Sequence, residues 1–150
     1  MHLSRRIFLH GSVALAALWA VPRALLASAW PSKAFAASAA SEAMTELFGT
    51  DQATPSSAIS LTAPEIAENG AVVPVSVETT LQNVQSVSIV VEKNPRPLAI
   101  SFEIPAGTLP DVACRIKMGE TSQVTAVVKT DSGLFSASKE VKVTIGGCGG

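Results

Sequence analysis

The sequence predicts an all-β chain: an immunoglobulin-like antiparallel β-sandwich with a short N-terminal helix and a flexible C-terminal glycine-cysteine arm. Three observations predict it. From residue 58 onward, apolar and polar residues alternate in about seven or eight short runs, the period of half-buried strands. Gly, Pro and Asn turns separate these runs at the spacing of a sandwich. The chain then ends in Gly146-Gly147-Cys148-Gly149-Gly150, directly after the alternating run Val141-Lys142-Val143-Thr144-Ile145. A small β-barrel is the alternative architecture.

Residues 1–36 differ from the rest. All their charges are basic (Arg5, Arg6, Arg23, Lys33), and they hold both His and both Trp of the chain. Ser4-Arg5-Arg6-Ile7-Phe8-Leu9 is a twin-arginine pattern, followed by an apolar stretch from Gly11 to Leu26 broken by Pro22 and Arg23. Ala34-Phe35-Ala36 reads as a small-x-small cleavage site, with Ala37-Ser38-Ala39 as a second. The expectation is a cleaved leader directing a folded protein to the periplasm. The uninterrupted apolar run is short for a stable membrane anchor.

Removing 36 of the 150 residues leaves 114, with seven basic and twelve acidic side chains, a net charge of −5. They contain no His, Trp or Tyr. This excludes a Ser-His-Asp or Cys-His nucleophile system within the chain, and any His-containing zinc or copper site. No phosphate-binding glycine loop precedes a helix. Mild acidity without aromatic platforms argues against nucleic acid. No cofactor and no metal are expected.

Residues 37–57 read as a short helix and a linker. Ser41 is the expected cap, Met44, Leu47 and Phe48 form an apolar stripe, and Gly49 ends the helix. The stripe is expected to cover an open end of the body or meet a partner. The sandwich occupies 58–145. Ile59-Ser60-Leu61 is the first strand, and residues 65–70 turn through Asn69-Gly70. Residues 71–79 bury Val73, Val75 and Val77, with Pro74 marking an edge or a bulge. Residues 84–92 point Val87, Ile89 and Val91 inward, and Asn94-Pro95-Arg96-Pro97 breaks the chain. Residues 98–104 follow with Ile100, Phe102 and Ile104 on one face. Residues 112–118, 123–130 and 134–145 complete the set, the last as one strand or as two divided near Ser138. Cys114 shares parity with Val112 and Ile116, so its sulfur is expected inside as a small hydrophobe. A Cys114–Cys148 disulfide would require the tail to fold back onto that strand. Lys139, Glu140, Lys142 and Arg96 read as solvated charges.

The arm, residues 146–150, carries the chemistry. Gly146, Gly147, Gly149 and Gly150 let the backbone enter a slot too narrow for side chains. Cys148 supplies a nucleophile or a covalent attachment point. Lys142 is the nearest base in sequence, and the terminal carboxylate disfavours thiolate. A partner's site must therefore activate the sulfur.

This ending, together with Ile66-Ala67-Glu68-Asn69-Gly70, Val73-Pro74-Val75 and Asn94-Pro95, resembles the SoxY family, the sulfur-carrier subunits of bacterial thiosulfate oxidation. The resemblance implies that Cys148 holds thiosulfate-derived sulfur while other proteins act on it, so the chain is a carrier and not an enzyme. It implies a heterodimer with a SoxZ-like companion. It also implies visits to the arm by the Sox cytochrome, a sulfate-releasing hydrolase and a sulfane dehydrogenase. From the residues alone, a stand-alone thiol sulfurtransferase and a sandwich cross-linked by its tail cysteine remain as alternatives.

Overall fold

A computed structural model describes residues 30–144. The leader's Arg5 and Arg6 and the arm, Gly146 to Gly150 with Cys148, lie outside the described residues. The chain divides between Trp30 and Pro31.

Among the described residues two helices precede nine strands. Helix α1 is Ser32–Ala36 and α2 is Ala40–Phe48. The strands are β1 Thr54–Pro55, β2 Ile59–Thr62, β3 Ile66–Ala67, β4 Val73–Thr79, β5 Val84–Val91, β6 Leu98–Glu103, β7 Val112–Ile116, β8 Ser122–Thr130 and β9 Gly133–Val143. The larger sheet runs β1-β9-β8-β5-β6, with β3 also paired to β9; the smaller runs β2-β4-β7. The sandwich expected from the alternation is present, and its core lies between the sheets. Val73, Val75 and Val77 face Val87, Ile89, Val91, Val124, Ala126, Val128 and Val141 in one apolar cluster.

The structure adds a third layer on the outside of the larger sheet. Helices α1 and α2 bury Ala34, Ala37, Ala43 and Met44 against Val90, Leu98 and Val127. Strand β5 is therefore buried continuously from Ser86 to Val91, on both faces. A register shift between Ile89 and Val90 turns Leu98 toward the helices while Ile100 stays on the sandwich core. The apolar stripe of α2 thus covers the sheet's outer face and not an open end. The polar residues trapped there are satisfied, as where Ser88 and Ser101 bond at 2.8 Å.

Several local expectations are corrected. Ser41 does not cap α2: the N-cap is Ala39, and Glu42 reaches back to accept the Ser38 N–H at 3.1 Å. Gly49 does end the helix, in the left-handed conformation (φ 80°) that glycine adopts without strain. Pro74 lies on β4, the central strand of its sheet, yet β2 pairs only with Ser76–Thr79. Pro74 thus has a ladder neighbour on β7 alone, which suits a residue with no N–H to donate. The linker and the 65–70 turn each contain a two-residue strand, β1 and β3, both parallel to β9. Strand β9 is continuous from Gly133 to Val143, with no division at Ser138. Arg96 donates from Nη1 to the Ala36 carbonyl at 2.6 Å, and Lys139 from Nζ to the Ala63 carbonyl at 2.6 Å. Neither is a purely solvated charge. Ser32–Ala36, the end of the leader in the sequence reading, form α1, with Ala34 packed in the helical layer.

Candidate functional site

The expected site is Cys148, four residues beyond Thr144, and the structure describes the root, the end of the strand that leads to it. Strand β9 is the longest of the described strands and lies inside its sheet. One edge pairs with β8 from Gly133 to Val141. On the other edge β1 holds Phe135 and Ser136, and β3 holds Lys142 and Val143. Beyond Val141 the ladder to β8 stops, and β3 takes over.

Each residue of this last turn of chain is tied. The Lys142 N–H donates to the Glu65 carbonyl at 3.0 Å, and the Thr144 N–H to the Ala67 carbonyl at 3.1 Å. The Val143 N–H donates to Thr121 Oγ1 at 3.0 Å. Ala67 is buried beneath this pairing and belongs to the core, as does Val141. The root is therefore part of the sandwich up to Thr144.

Gly70 and Asn94 brace the same end. The Met118 N–H donates to the Gly70 carbonyl at 2.7 Å. A Cβ on Gly70 would stand 2.3 Å from the Met118 carbonyl oxygen and 2.9 Å from Val143 Cγ1. Only a residue without a side chain fits there. Asn94 Nδ2 donates to the Lys117 carbonyl at 2.6 Å, and its Oδ1 accepts the Gly119 N–H at 3.1 Å. One asparagine thus pins the turn that carries Met118. The sequence read Asn69-Gly70 as a turn, Asn94-Pro95 as part of a chain break, and both as points of family resemblance; the structure brings both to the root. Thr121 carried no signal in the sequence, because a threonine accepting one N–H looks like any turn threonine.

From this root the thiol has a short range. Four residues span at most about 14 Å between the Cα atoms of Thr144 and Cys148. Any site that reacts with the sulfur must come that close to the end of β9.

Cys114, the other thiol, is on β7 opposite Val75. It packs at the margin of the sandwich core and is half-buried, with the expected strand parity but without full enclosure. Burial pushes its thiol above the ordinary cysteine range, which leaves it a poor nucleophile at neutral pH. Among the described residues no group of three or more His, Cys, Asp or Glu side chains is placed to hold a metal. No described helix is long and apolar enough to cross a membrane.

Fold and site together define a class: a small two-sheet sandwich whose final strand, locked to its neighbours, hands over to a glycine-flanked thiol. The family described as "Sulfur oxidation protein SoxY" matches residues 44–148, and the chain belongs to that family. The match begins within α2 and runs to Cys148 itself. The structure of the sulfur carrier protein SoxY from Chlorobium limicola f thiosulfatophilum is similar at 40% identity, with a TM-score of 0.62, covering 69% of this chain and 94% of that one. A superoxide reductase (neelaredoxin) from Ignicoccus hospitalis has a TM-score of 0.52 at 20% identity, covering 57% of this chain and 80% of that one, a likeness of fold alone. A comparison with curated proteins finds no match.

Proposed function

We propose that this chain is a periplasmic sulfur carrier that holds thiosulfate-derived sulfur covalently on Cys148 and presents it to partner enzymes. The observation that carries this reading is the family match extending to Cys148, on a strand whose root is fixed within four residues of the thiol. In the loading step the Cys148 thiolate and the outer sulfur of thiosulfate form an S–S bond. Two electrons leave to an oxidant, the Sox cytochrome. Water then cleaves the S–SO3 bond in the hydrolase, releasing sulfate and two protons and leaving a persulfide on Cys148. The outer sulfur is then passed to another acceptor, or a sulfane dehydrogenase removes six electrons from it with three waters to give a cysteine S-sulfonate, which a second hydrolysis cleaves to sulfate and the free thiol.

The fold suits a carrier. The thiol needs a firm base and a thin tether, and the root and the four glycines supply these. Catalytic groups come from each visited enzyme. A SoxZ-like companion completes the carrier as a heterodimer, and the twin-arginine leader with Arg5 and Arg6 exports it folded. The test is Cys148→Ser in a reconstituted thiosulfate-oxidising system. Turnover is expected to vanish while the melting curve and pairing with the companion persist. Retained turnover would overturn the reading. Turnover by the wild-type chain alone would favour the sulfurtransferase.

A further inference from the structure

Helix α1 occupies Ser32–Ala36, the segment in which the sequence places the end of the leader. Ala34 is 1% exposed and Ala37 is 4% exposed. Both are packed with Ala43, Met44, Val90, Leu98 and Val127. The Ala37 N–H closes α1 onto the Lys33 carbonyl at 3.0 Å, and Arg96 grips the Ala36 carbonyl. The body therefore starts at Pro31.

We infer that the leader is cut after Ala29, at Ala27-Ser28-Ala29, and that α1 stays in the mature protein. A leader peptidase reads small residues three and one positions before the cut, and the chain must be accessible there. For a cut after Ala36 the first of these is Ala34, which is helical and buried. That cut would strip Ala34 from the sheet's outer face and leave Arg96 without its acceptor. A cut after Ala39 removes the same helix, and with it the residue whose carbonyl receives the Ala43 N–H at 3.0 Å. A chain exported already folded meets the peptidase with these contacts made. Ala27-Ser28-Ala29 has the same small-x-small pattern and directly follows Leu26, the end of the apolar stretch. Cutting there keeps the described packing of Ala34 and Ala37 and the bond from Arg96 to Ala36.

This inference rests on the proposed export and is independent of the sulfur chemistry. The test is to express the full chain with its own leader in a bacterial host that has a twin-arginine exporter. The N-terminus of the periplasmic protein is then read by top-down mass spectrometry. A first residue of Trp30 is expected; Ala37, Ala40 or any start within α1 or α2 overturns the inference. As a second arm, Ala29→Leu should raise the unprocessed fraction at least tenfold, whereas Ala36→Leu, at an exposed position, should leave it unchanged. The reverse pattern overturns the inference too. Cytoplasmic retention of the wild type would remove the export reading itself, whereas export with a different N-terminus removes only the assigned cut.

Discussion

Replacing Gly70 by Ala tests the braced root directly. Gly70 does not have a positive φ, so alanine costs nothing in backbone conformation and should even gain about 0.4–1 kcal/mol by restricting the unfolded chain. Against this stands the added methyl, 2.3 Å from the Met118 carbonyl oxygen and 2.9 Å from Val143 Cγ1. The first neighbour is backbone, held by Asn94 through the residues on either side of it. Relief requires a shift of about 1 Å, and overpacking of that kind costs about 1–3 kcal/mol. The net expectation is a loss of about 1–2 kcal/mol, or roughly 4–8 °C in Tm for a domain of this size. A thermal melt followed by circular dichroism measures it. Hydrogen exchange should show the amides of Val143 and Thr144 losing more protection than those in the middle of β8. A variant as stable as the wild type, with root amides equally protected, would refute the reasoning.

Asn94→Ala removes both bonds to the 117–119 turn and should cost about 1–2 kcal/mol, read as a lower urea midpoint. Gly147→Val should slow sulfur loading by partner enzymes far more than it shifts the urea midpoint; equal turnover would remove the narrow-slot requirement. Alkylation of Cys114 by iodoacetamide should be slow at pH 8 and rise only above the ordinary cysteine range, because burial holds its thiol neutral. The same raised value means that the neutral thiol stabilises the fold fully below about pH 8.5, the unfolded value. That contribution fades as pH rises through the folded value. Cys114→Ala should abolish this alkaline labelling and leave loading of Cys148 unchanged.

The sandwich was legible because strands such as β4 bury one face in alternation, as Val73, Val75 and Val77 do. The helical layer was less legible. The stripe of Met44, Leu47 and Phe48 announces burial but not its target, and Leu98 turns to the helices only through a register shift that no periodicity encodes. Strands β1 and β3 were missed because two residues carry no period; they exist only as partners of β9. Ser41 looked like a cap because composition cannot say which residue leaves helical geometry first. The glycines around one thiol stand out in the sequence and lie outside the described residues. The end of β9 that leads to them was not legible, since Gly70, Asn94 and Thr121 brace it from three separate turns.

The most direct test is top-down mass spectrometry of the chain purified without reductant from cells oxidising thiosulfate. Added mass matching thiosulfonate or extra sulfur should map beyond Thr144, to Cys148, and disappear on reduction, with Cys114 unmodified. A Cys114–Cys148 disulfide, or sulfur found only on Cys114, would contradict the account.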